Sequence, residues 1–259
     1  MIRPASWLAP PWAGGVVGAL MTTREGGASV GPYASMTLGI AVGDDPQTVA
    51  ANRAFFAAAC GAAPVFLRQV HGARVVRIGA ADATARATDH AADASVTTEP
   101  GVACTVQVAD CLPVLFAAPE RRGVAAAHAG WRGLAGGVLE AAVDGLCEAT
   151  GCRPGDLDAW LGVCIGPRRF EVGADVLEAF GAAPDRVGSR RFVPAAPGKW
   201  LADLAGLARD RLAAAGLERV SAAPGCASED ASRFFSFRRD RITGRMAAAV
   251  WIERRPAGG

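Results

Sequence analysis

Two histidines and one cysteine stand in local sequences that favour metal chemistry. The chain has only three histidines, of which His71 lies in the segment RQVHG and His128 in HAGWRG. Cys111 lies between them in the segment ADCLPVL. Imidazole and thiolate groups are preferred zinc ligands, and three protein ligands leave a fourth position for water or substrate. Because a structural zinc site is normally closed by four ligands, this set indicates catalysis rather than a folding role.

Each of the three residues also has an ordinary structural explanation when it is taken alone. Cysteine packs like a small hydrophobic residue, and isolated histidines occur in turns and cores. Two features of context favour a site. Asp110 places a carboxylate beside Cys111, where a buried segment would need a partner for it, and glycines close after both histidines leave backbone open to a ligand. The competing chemistry is a Cys111 nucleophile with His128 as its base, because zinc would occupy the thiolate.

The surrounding elements predict that the three side chains converge. Short apolar runs bounded by turn residues predict strands over residues 65–69, 74–78, 94–98, 103–108, 113–117 and 123–127. His71 then lies in a turn after a strand, Cys111 in a break between two strands, and His128 at a strand end just before a helix. Residues at the strand ends of a rigid sheet are well placed to form one site.

The rest of the chain predicts a mixed architecture. Apolar spacing and cap residues predict helices over 46–60, 133–150, 174–180 and 201–215, and further strands over 15–22, 160–165 and 246–252. Residues 84–92 are polar and predict a loop. Strands outnumber helices, so the expected class is α/β or α+β: a single layered domain over residues 1–259 with a mixed β-sheet core flanked by helices.

The bulk composition of the chain limits the kinds of partner that we expect it to bind. With 259 residues, 51% hydrophobic and 20% charged, the chain is expected to fold around a large core. A net charge of +2 is too small to indicate a nucleic-acid or membrane partner. The seven cysteines lack the spacing of a disulfide framework, and no apolar run predicts a membrane span. We therefore expect a cytoplasmic protein, monomeric or homodimeric, that acts on a small molecule.

The motifs together resemble those of the YfiH/laccase-domain family. RQVHG, ADCLPVL and HAGWRG occur in that family's order, with TREGGAS and GDDP near the N-terminus and IGP, FEVG and FSFRRD toward the C-terminus. The resemblance runs nearly end to end and implies a YfiH-like layered fold with His71, Cys111 and His128 as zinc ligands. Phe170, Thr37 and the pair Cys226-Ala227 depart from the family pattern. They touch no ligand and bear on substrate preference.

The family carries three functional labels. Purine nucleoside phosphorylase implies zinc-dependent phosphorolysis of adenosine, inosine and 5′-methylthioadenosine to base and sugar 1-phosphate, with adenosine deamination as a side activity, and this is the leading hypothesis. Peptidoglycan editing factor implies amide cleavage at a UDP-muramoyl–amino acid by the same site. Multicopper polyphenol oxidase needs many more imidazoles than three, although one Cu²⁺ could occupy the zinc ligands. A non-enzymatic binding module is the remaining hypothesis.

Phosphorolysis also requires an anion pocket and a proton-transfer group. Guanidinium groups bind phosphate in a bidentate fashion. The arginines nearest the motifs, and so the candidates for phosphate, are Arg24, Arg68, Arg132 and Arg238. Asp110 and Glu171 are the candidates for the general acid or base beside the catalytic set of His71, Cys111 and His128. Surface charges and structural ion pairs are the alternatives for all of these residues, and the sequence does not rank them.

Overall fold

The computed structural model describes residues 3–84, 90–183 and 190–254. Its strands are β1 (Val17–Met21), β2 (Ala63–Phe66), β3 (Val75–Arg77), β4 (Ala94–Thr97), β5 (Val102–Val108), β6 (Leu112–Ala117), β7 (Val124–Ala129), β8 (Asp158–Leu161), β9 (Glu171–Val172), β10 (Phe192–Pro194), β11 (Trp200–Ala202), β12 (Arg219–Ala222) and β13 (Met246–Ile252). Its helices are α1 (Pro46–Cys60), α2 (Ala80–Thr84), α3 (Trp131–Ala135), α4 (Val138–Thr150), α5 (Ala174–Ala179), α6 (Leu204–Ala214) and α7 (Phe237–Asp240).

Two mixed sheets form the centre of the molecule. The first has the strand order β1-β13-β5-β2, antiparallel except for the parallel pair β2–β5. The second has the order β12-β8-β6-β7-β4-β3, antiparallel inside and parallel at both edges, where β12 joins β8 and β3 joins β4. A small antiparallel sheet, β10-β11-β9, is not hydrogen-bonded to these, and its buried residues join the core of the second sheet. The predicted α/β class with a mixed sheet flanked by helices is confirmed.

The two large sheets pack face to face with helices outside them. Every residue of β6, β7 and β13 is buried. Because side chains alternate across a strand, successive residues face the other sheet and a helix layer in turn. The core between the sheets joins Val106 and Val250 of the first sheet to Leu115 and Ala126 of the second. On the outer faces, α1 covers the first sheet, and α4 and α6 cover the second. The order of layers is α–β–β–α.

The first helix shows how the local sequence sets an element. The Asp45 carboxylate accepts a 2.8 Å hydrogen bond from the Thr48 amide, and Pro46 occupies the first turn, where no amide is needed. Gly61 ends the helix in the left-handed conformation with φ 65°. The predicted helix over 46–60 is confirmed at both ends.

Other predicted elements differ from the structure in their bounds. The helix predicted over 133–150 is two helices, because Gly137 adopts φ 91° between α3 and α4. The helix predicted over 201–215 begins only at Leu204, because residues 200–202 pair with strands β9 and β10. Strands β9, β10 and β12 were not predicted, since they are short and partly exposed. Of the predicted loop over 84–92, residues 85–89 lie outside the described ranges.

No helix in the described ranges is long and apolar enough to cross a membrane.

Candidate metal centre

The three predicted ligands meet at one end of the central strands β6 and β7 of the second sheet. His71 follows β2, Cys111 occupies the turn between β5 and β6, and His128 lies near the end of β7, where it pairs with Pro113. Cys111 Sγ is 3.8 Å from His71 Nε2, and the ligand atoms of all three residues lie within 4.8 Å of one another. The two imidazole rings are edge to face with centroids 4.8 Å apart. The predicted convergence is therefore present.

A fourth residue, Asp93, orients the buried histidine. Its carboxylate is fully buried just before β4, and its Oδ1 accepts a 2.8 Å hydrogen bond from His128 Nδ1. With Nδ1 bonded to Asp93, Nε2 is the nitrogen of His128 that is left to bind a metal ion. A carboxylate that fixes a ligating imidazole in this way is the usual second partner of zinc-binding histidines.

The same carboxylate shapes the turn that carries His71. Asp93 accepts backbone N–H groups from Val70 (3.1 Å), His71 (2.9 Å) and Gly72 (2.7 Å). His71 itself adopts φ 60°, a left-handed conformation that is uncommon for a residue with a side chain. The three amides hold the turn in that conformation, so one buried carboxylate sets the positions of both histidines.

Gly130 makes room for the cluster. A Cβ at this position would lie 2.8 Å from His71 Cδ2 and 3.1 Å from Cys111 Sγ, closer than such atoms normally approach. The glycine of the HAGWRG segment is therefore needed for its small size beside the ligands. Its own φ of −66° is open to any residue.

In the absence of metal, the electrostatics of the site favour a Cys111 thiolate beside a protonated His128. Burial opposes ionisation of Cys111, but the charge and hydrogen bond of His128, and then those of His71, outweigh it and lower the pKa of the thiol to about 6. Burial also opposes protonation of His128, yet Cys111 and Asp93 raise its pKa. Burial works against the Asp93 carboxylate as well, and the hydrogen bonds from His128 and Gly72 still lower its pKa. The cluster is thus built around a thiolate.

The donor set fits a zinc ion. Tetrahedral zinc with Zn–S near 2.3 Å and Zn–N near 2.0 Å places sulfur and nitrogen ligands about 3.5 Å apart, close to the observed Cys111–His71 separation of 3.8 Å. Two imidazoles and one thiolate also match the ligand types of catalytic zinc sites. Among the described residues this is the one group of three or more such side chains close enough to hold an ion.

Asp110 connects the Cys111 turn to helix α7. Its Oδ1 accepts a 2.6 Å hydrogen bond from the Ser236 hydroxyl, and its Oδ2 accepts one of 2.6 Å from the Arg238 amide. Asp110 adopts φ 101°, which these bonds hold in place. Ser236 in turn accepts the Arg239 amide at the start of α7. The carboxylate that the sequence singled out therefore has its required partners.

The other candidate residues take different positions. The Glu171 side chain is exposed on β9, and its backbone oxygen accepts a 2.8 Å bond from Arg238 Nη1. Arg24 donates to the carbonyl groups of residues 34 and 231 and stacks on a phenylalanine ring, so its guanidinium joins loops. Arg132 is exposed and stacks on its neighbouring tryptophan at 4.2 Å. Arg68 is exposed and pairs through its backbone with residues 90 and 92.

Two open clefts border the central layers. One, of about 460 Å³, is lined by Arg24, Pro32, Asp240 and Ile242, next to helix α7. The other, of about 380 Å³, lies beside the edge strand β12 and contains Trp12 and Arg219. The third histidine, His90, is half-buried and forms a 2.7 Å hydrogen bond with the Asp82 carboxylate.

Sequence reasoning missed Asp93, Gly130 and Ser236 as residues of the site. Asp93 precedes the apolar segment that forms β4, and a lone carboxylate at the start of an apolar strand is a signal that it has a buried partner. Gly130 was noted as open backbone, but only the structure shows that its hydrogen faces two ligands. Ser236 belongs to the FSFRRD motif, but its pairing with Asp110 had no signal, because the two residues are 126 positions apart along the chain.

Comparison with known proteins shows extensive similarity. Residues 18–253 match the family model described as multi-copper polyphenol oxidoreductase laccase. A purine nucleoside phosphorylase of Pseudomonas aeruginosa is 47% identical over 251 residues, covering 96% of this chain and 99% of that protein. The purine nucleoside phosphorylase YfiH of Escherichia coli is 46% identical over 239 residues, covering 91% and 94%. The crystal structure of YlmD from Geobacillus stearothermophilus matches with TM-score 0.87 and 35% identity, covering 97% of this chain and 98% of that one.

Proposed function

The chain belongs to the YfiH family, whose members include laccase-like proteins, and we propose that it is a zinc-dependent purine nucleoside phosphorylase. The observation that carries the proposal is the meeting of His71, Cys111 and His128 within 4.8 Å, with His128 fixed by Asp93. Relatives at 46–47% identity bear the name purine nucleoside phosphorylase, which supports the choice of substrate class.

His71, Cys111 and His128 would hold the ion. When bound, a zinc ion with three protein ligands supplies a Lewis acid with one open coordination position. The chain's own contribution is to hold the ligands rigidly: Asp93 fixes the tautomer of His128 and the turn of His71, and Gly130 keeps the space between them free. A rigid ligand shell of this kind is what a catalytic site requires.

The reaction proposed is phosphorolysis of the glycosidic bond. An oxygen of inorganic phosphate forms a bond to C1′ of the nucleoside, the bond from C1′ to the purine nitrogen breaks, and the base leaves with a proton. The products are the free purine and a sugar 1-phosphate. The substrates are adenosine, inosine and 5′-methylthioadenosine, and adenosine deamination is the side activity in the same proposal.

Of the two carboxylates, we assign proton transfer to Glu171 and positioning to Asp110. Both Asp110 oxygens already accept short hydrogen bonds, from Ser236 and from the Arg238 amide. The exposed Glu171 carboxylate makes no hydrogen bond within the described ranges and can therefore exchange protons with a ligand. Arg238, whose Nη1 donates to the Glu171 carbonyl oxygen, stays a candidate for binding phosphate, as do the exposed residues Arg68 and Arg132.

The chain has too few histidine ligands for multicopper oxidase chemistry. The sequence has three histidines, and the third, His90, binds Asp82 rather than joining the cluster. A multicopper centre needs several more imidazole ligands than the two at this site, although the cluster could bind a single Cu²⁺.

A product assay tests the proposal. Purified protein loaded with zinc is incubated with adenosine, with and without inorganic phosphate, and the products are separated by chromatography. We expect adenine and ribose 1-phosphate that require both phosphate and Cys111, with His90→Ala as an active control. If inosine is the only product formed from adenosine, the activity is deamination and not phosphorolysis. Cleavage of a UDP-muramoyl–serine conjugate with no nucleoside turnover would replace the proposal with amide hydrolysis.

A further inference from the structure

An exposed aromatic ring with two arginines lies beside the metal centre. The Phe237 side chain, at the start of α7, is 46% exposed although it is a large apolar group. The guanidinium carbon of Arg241 is 5.9 Å from its ring centroid, and that of Arg245 is 5.7 Å away. We call these three residues the α7 face. An open ring flanked by cations is a surface suited to a flat ligand that carries negative charge.

The α7 face is connected directly to the ligand turn. The Arg238 amide, next to Phe237, donates a 2.6 Å hydrogen bond to Asp110, the neighbour of Cys111. Arg245 comes just before β13, whose first residue pairs with the last residue of β5, the strand that leads into the Cys111 turn. Arg245 is also within electrostatic reach of Cys111 and Asp110. Burial lowers the pKa of Arg245, and these two negative groups partly offset the effect.

Neither arginine of the α7 face forms a direct ion pair within the described part of the chain. Within the described ranges, neither Arg241 nor Arg245 has a carboxylate at ion-pair distance, whereas Arg239 pairs with Asp240 at 2.7 Å. Arg245 Nη1 donates to the carbonyl oxygens of Thr243 and Gly244, which leaves Nε and Nη2 without a described acceptor. A half-buried guanidinium without a counter-ion is costly, and an anionic ligand would offset that cost.

The backbone of the α7 face is strained at Arg241. Arg241 adopts φ 61° and ψ −57°, outside the regions favoured by residues with side chains. Of the five non-glycine residues with positive φ in the described ranges, His71 and Asp110 belong to the metal centre or its turn, and Arg241 belongs to the α7 face. Such conformations are unfavourable and gather where function requires a fixed side-chain direction.

We propose that the α7 face is the subsite for both substrates: Arg245 and Arg241 bind the inorganic phosphate, and the purine ring lies on the open side of Phe237. The assignment rests on the proposed phosphorylase function, because it is that reaction that brings an oxyanion and a flat base together. It places the phosphate between the guanidinium groups and the Cys111 turn. Thr37, which accepts the Arg245 amide at 3.2 Å, then acts as a support for the subsite.

Steady-state kinetics with two substrates test the assignment. Arg245→Gln is expected to raise the KM for phosphate by about tenfold, the size of one lost charge-assisted hydrogen bond, with the KM for adenosine changed less than about twofold. Phe237→Ala should do the opposite and raise the KM for adenosine about tenfold, and Phe237→Trp should restore it, because stacking needs only a flat ring. Arg209→Gln, an exposed arginine on α6, is the matched control.

A binding measurement separates the subsite from the reaction. Inorganic phosphate is titrated calorimetrically into wild type, Arg245→Gln, Arg241→Gln and Arg209→Gln, all without nucleoside. The assignment predicts binding to wild type and to Arg209→Gln that is weakened about tenfold in the other two. Equal phosphate affinity in all four proteins, or no binding to wild type, overturns the subsite. Phosphate binding that follows the prediction, in a protein that releases no base from adenosine, overturns the phosphorylase function and leaves the anion site standing.

Discussion

The Asp93 carboxylate lies 2.8 Å from His128 Nδ1, and the same oxygen accepts the backbone N–H of His71 at 2.9 Å. One buried side chain therefore positions two ligands that come from different parts of the chain. Its second oxygen accepts the amides of Val70 and Gly72, which completes its hydrogen bonding. The metal centre is consequently a single unit in which ligand geometry and turn conformation depend on the same group.

Replacing Asp93 by asparagine should weaken metal binding. The amide side chain would keep the shape but lose the charge, and its NH₂ group would face backbone amides that need an acceptor. We expect zinc affinity to fall by about 10–100-fold, as for other partners of ligating histidines, together with a lower thermal unfolding midpoint. Competition with a chromophoric chelator measures the affinity. Asp82→Asn, which removes a carboxylate that bonds His90 away from the cluster, is the control, and unchanged zinc affinity in Asp93→Asn would contradict the orientation argument.

The three ligands should bind one zinc ion per chain. His71→Ala, Cys111→Ala and His128→Ala are each expected to lose stoichiometric zinc after dialysis, because two remaining ligands hold the ion too weakly. His90→Ala should retain it, since His90 bonds to Asp82 away from the cluster. Metal analysis by mass spectrometry gives the content directly. A metal-free wild type with full activity would favour the competing role of Cys111 as a nucleophile.

Much of this architecture could be predicted because burial leaves a pattern in the sequence. β6 and β13 are apolar on both faces, β5 and β7 are largely so, and the ends of α1 follow from Asp45, Pro46 and Gly61. The convergence of the three ligands followed from the strand ends. The break at Gly137 could not be predicted, because a glycine inside an apolar helical pattern is compatible with either a continuous or an interrupted helix.

The supporting residues of the site were harder to predict for a different reason. The role of Asp93 depends on three amides of a turn more than 20 residues earlier, and that of Asp110 on a hydroxyl far along the chain. Hydrogen bonds between such distant segments leave no periodic signal. The arginines were equally hard to assign from the sequence. Arg24 lies in a clear motif but its guanidinium joins loops, whereas Arg245, which was not a candidate, interacts electrostatically with Cys111.

Cys111 should be the first cysteine to react in the metal-free protein. The nearby histidines lower the pKa of its thiol to about 6, so it is mainly thiolate at pH 7, and its alkylation should slow as the pH falls through that value. Burial raises the thiol pKa of Cys60, Cys104 and Cys164, which disfavours their reaction. Iodoacetamide labelling followed by peptide mass spectrometry measures the order. Added zinc should protect Cys111, and labelling at equal rates with and without zinc would contradict its assignment as a ligand.

Adding one methyl group at Gly130 should damage the site while leaving the fold intact. The new Cβ would lie 2.8 Å from the His71 ring and 3.1 Å from Cys111 Sγ, so both ligands must move apart. A displacement approaching 1 Å at a catalytic group costs about 10²-fold in kcat/KM. The backbone at Gly130 has φ −66° and accepts alanine without strain, and the change from glycine to alanine at this helix N-cap should cost no more than about 1 kcal/mol.

The matched control is the same substitution at Gly145, in the interior of α4. A Cβ there meets only Val75 and Val96 at 3.6 Å, an ordinary contact, and alanine should raise the free energy of unfolding by about 0.5–1 kcal/mol with activity unchanged. Urea denaturation and turnover of adenosine are measured for both variants. If Gly130→Ala retains wild-type zinc affinity and turnover, His71 and Cys111 tolerate a methyl group at position 130. The proposal that the site needs the small size of Gly130 is then wrong.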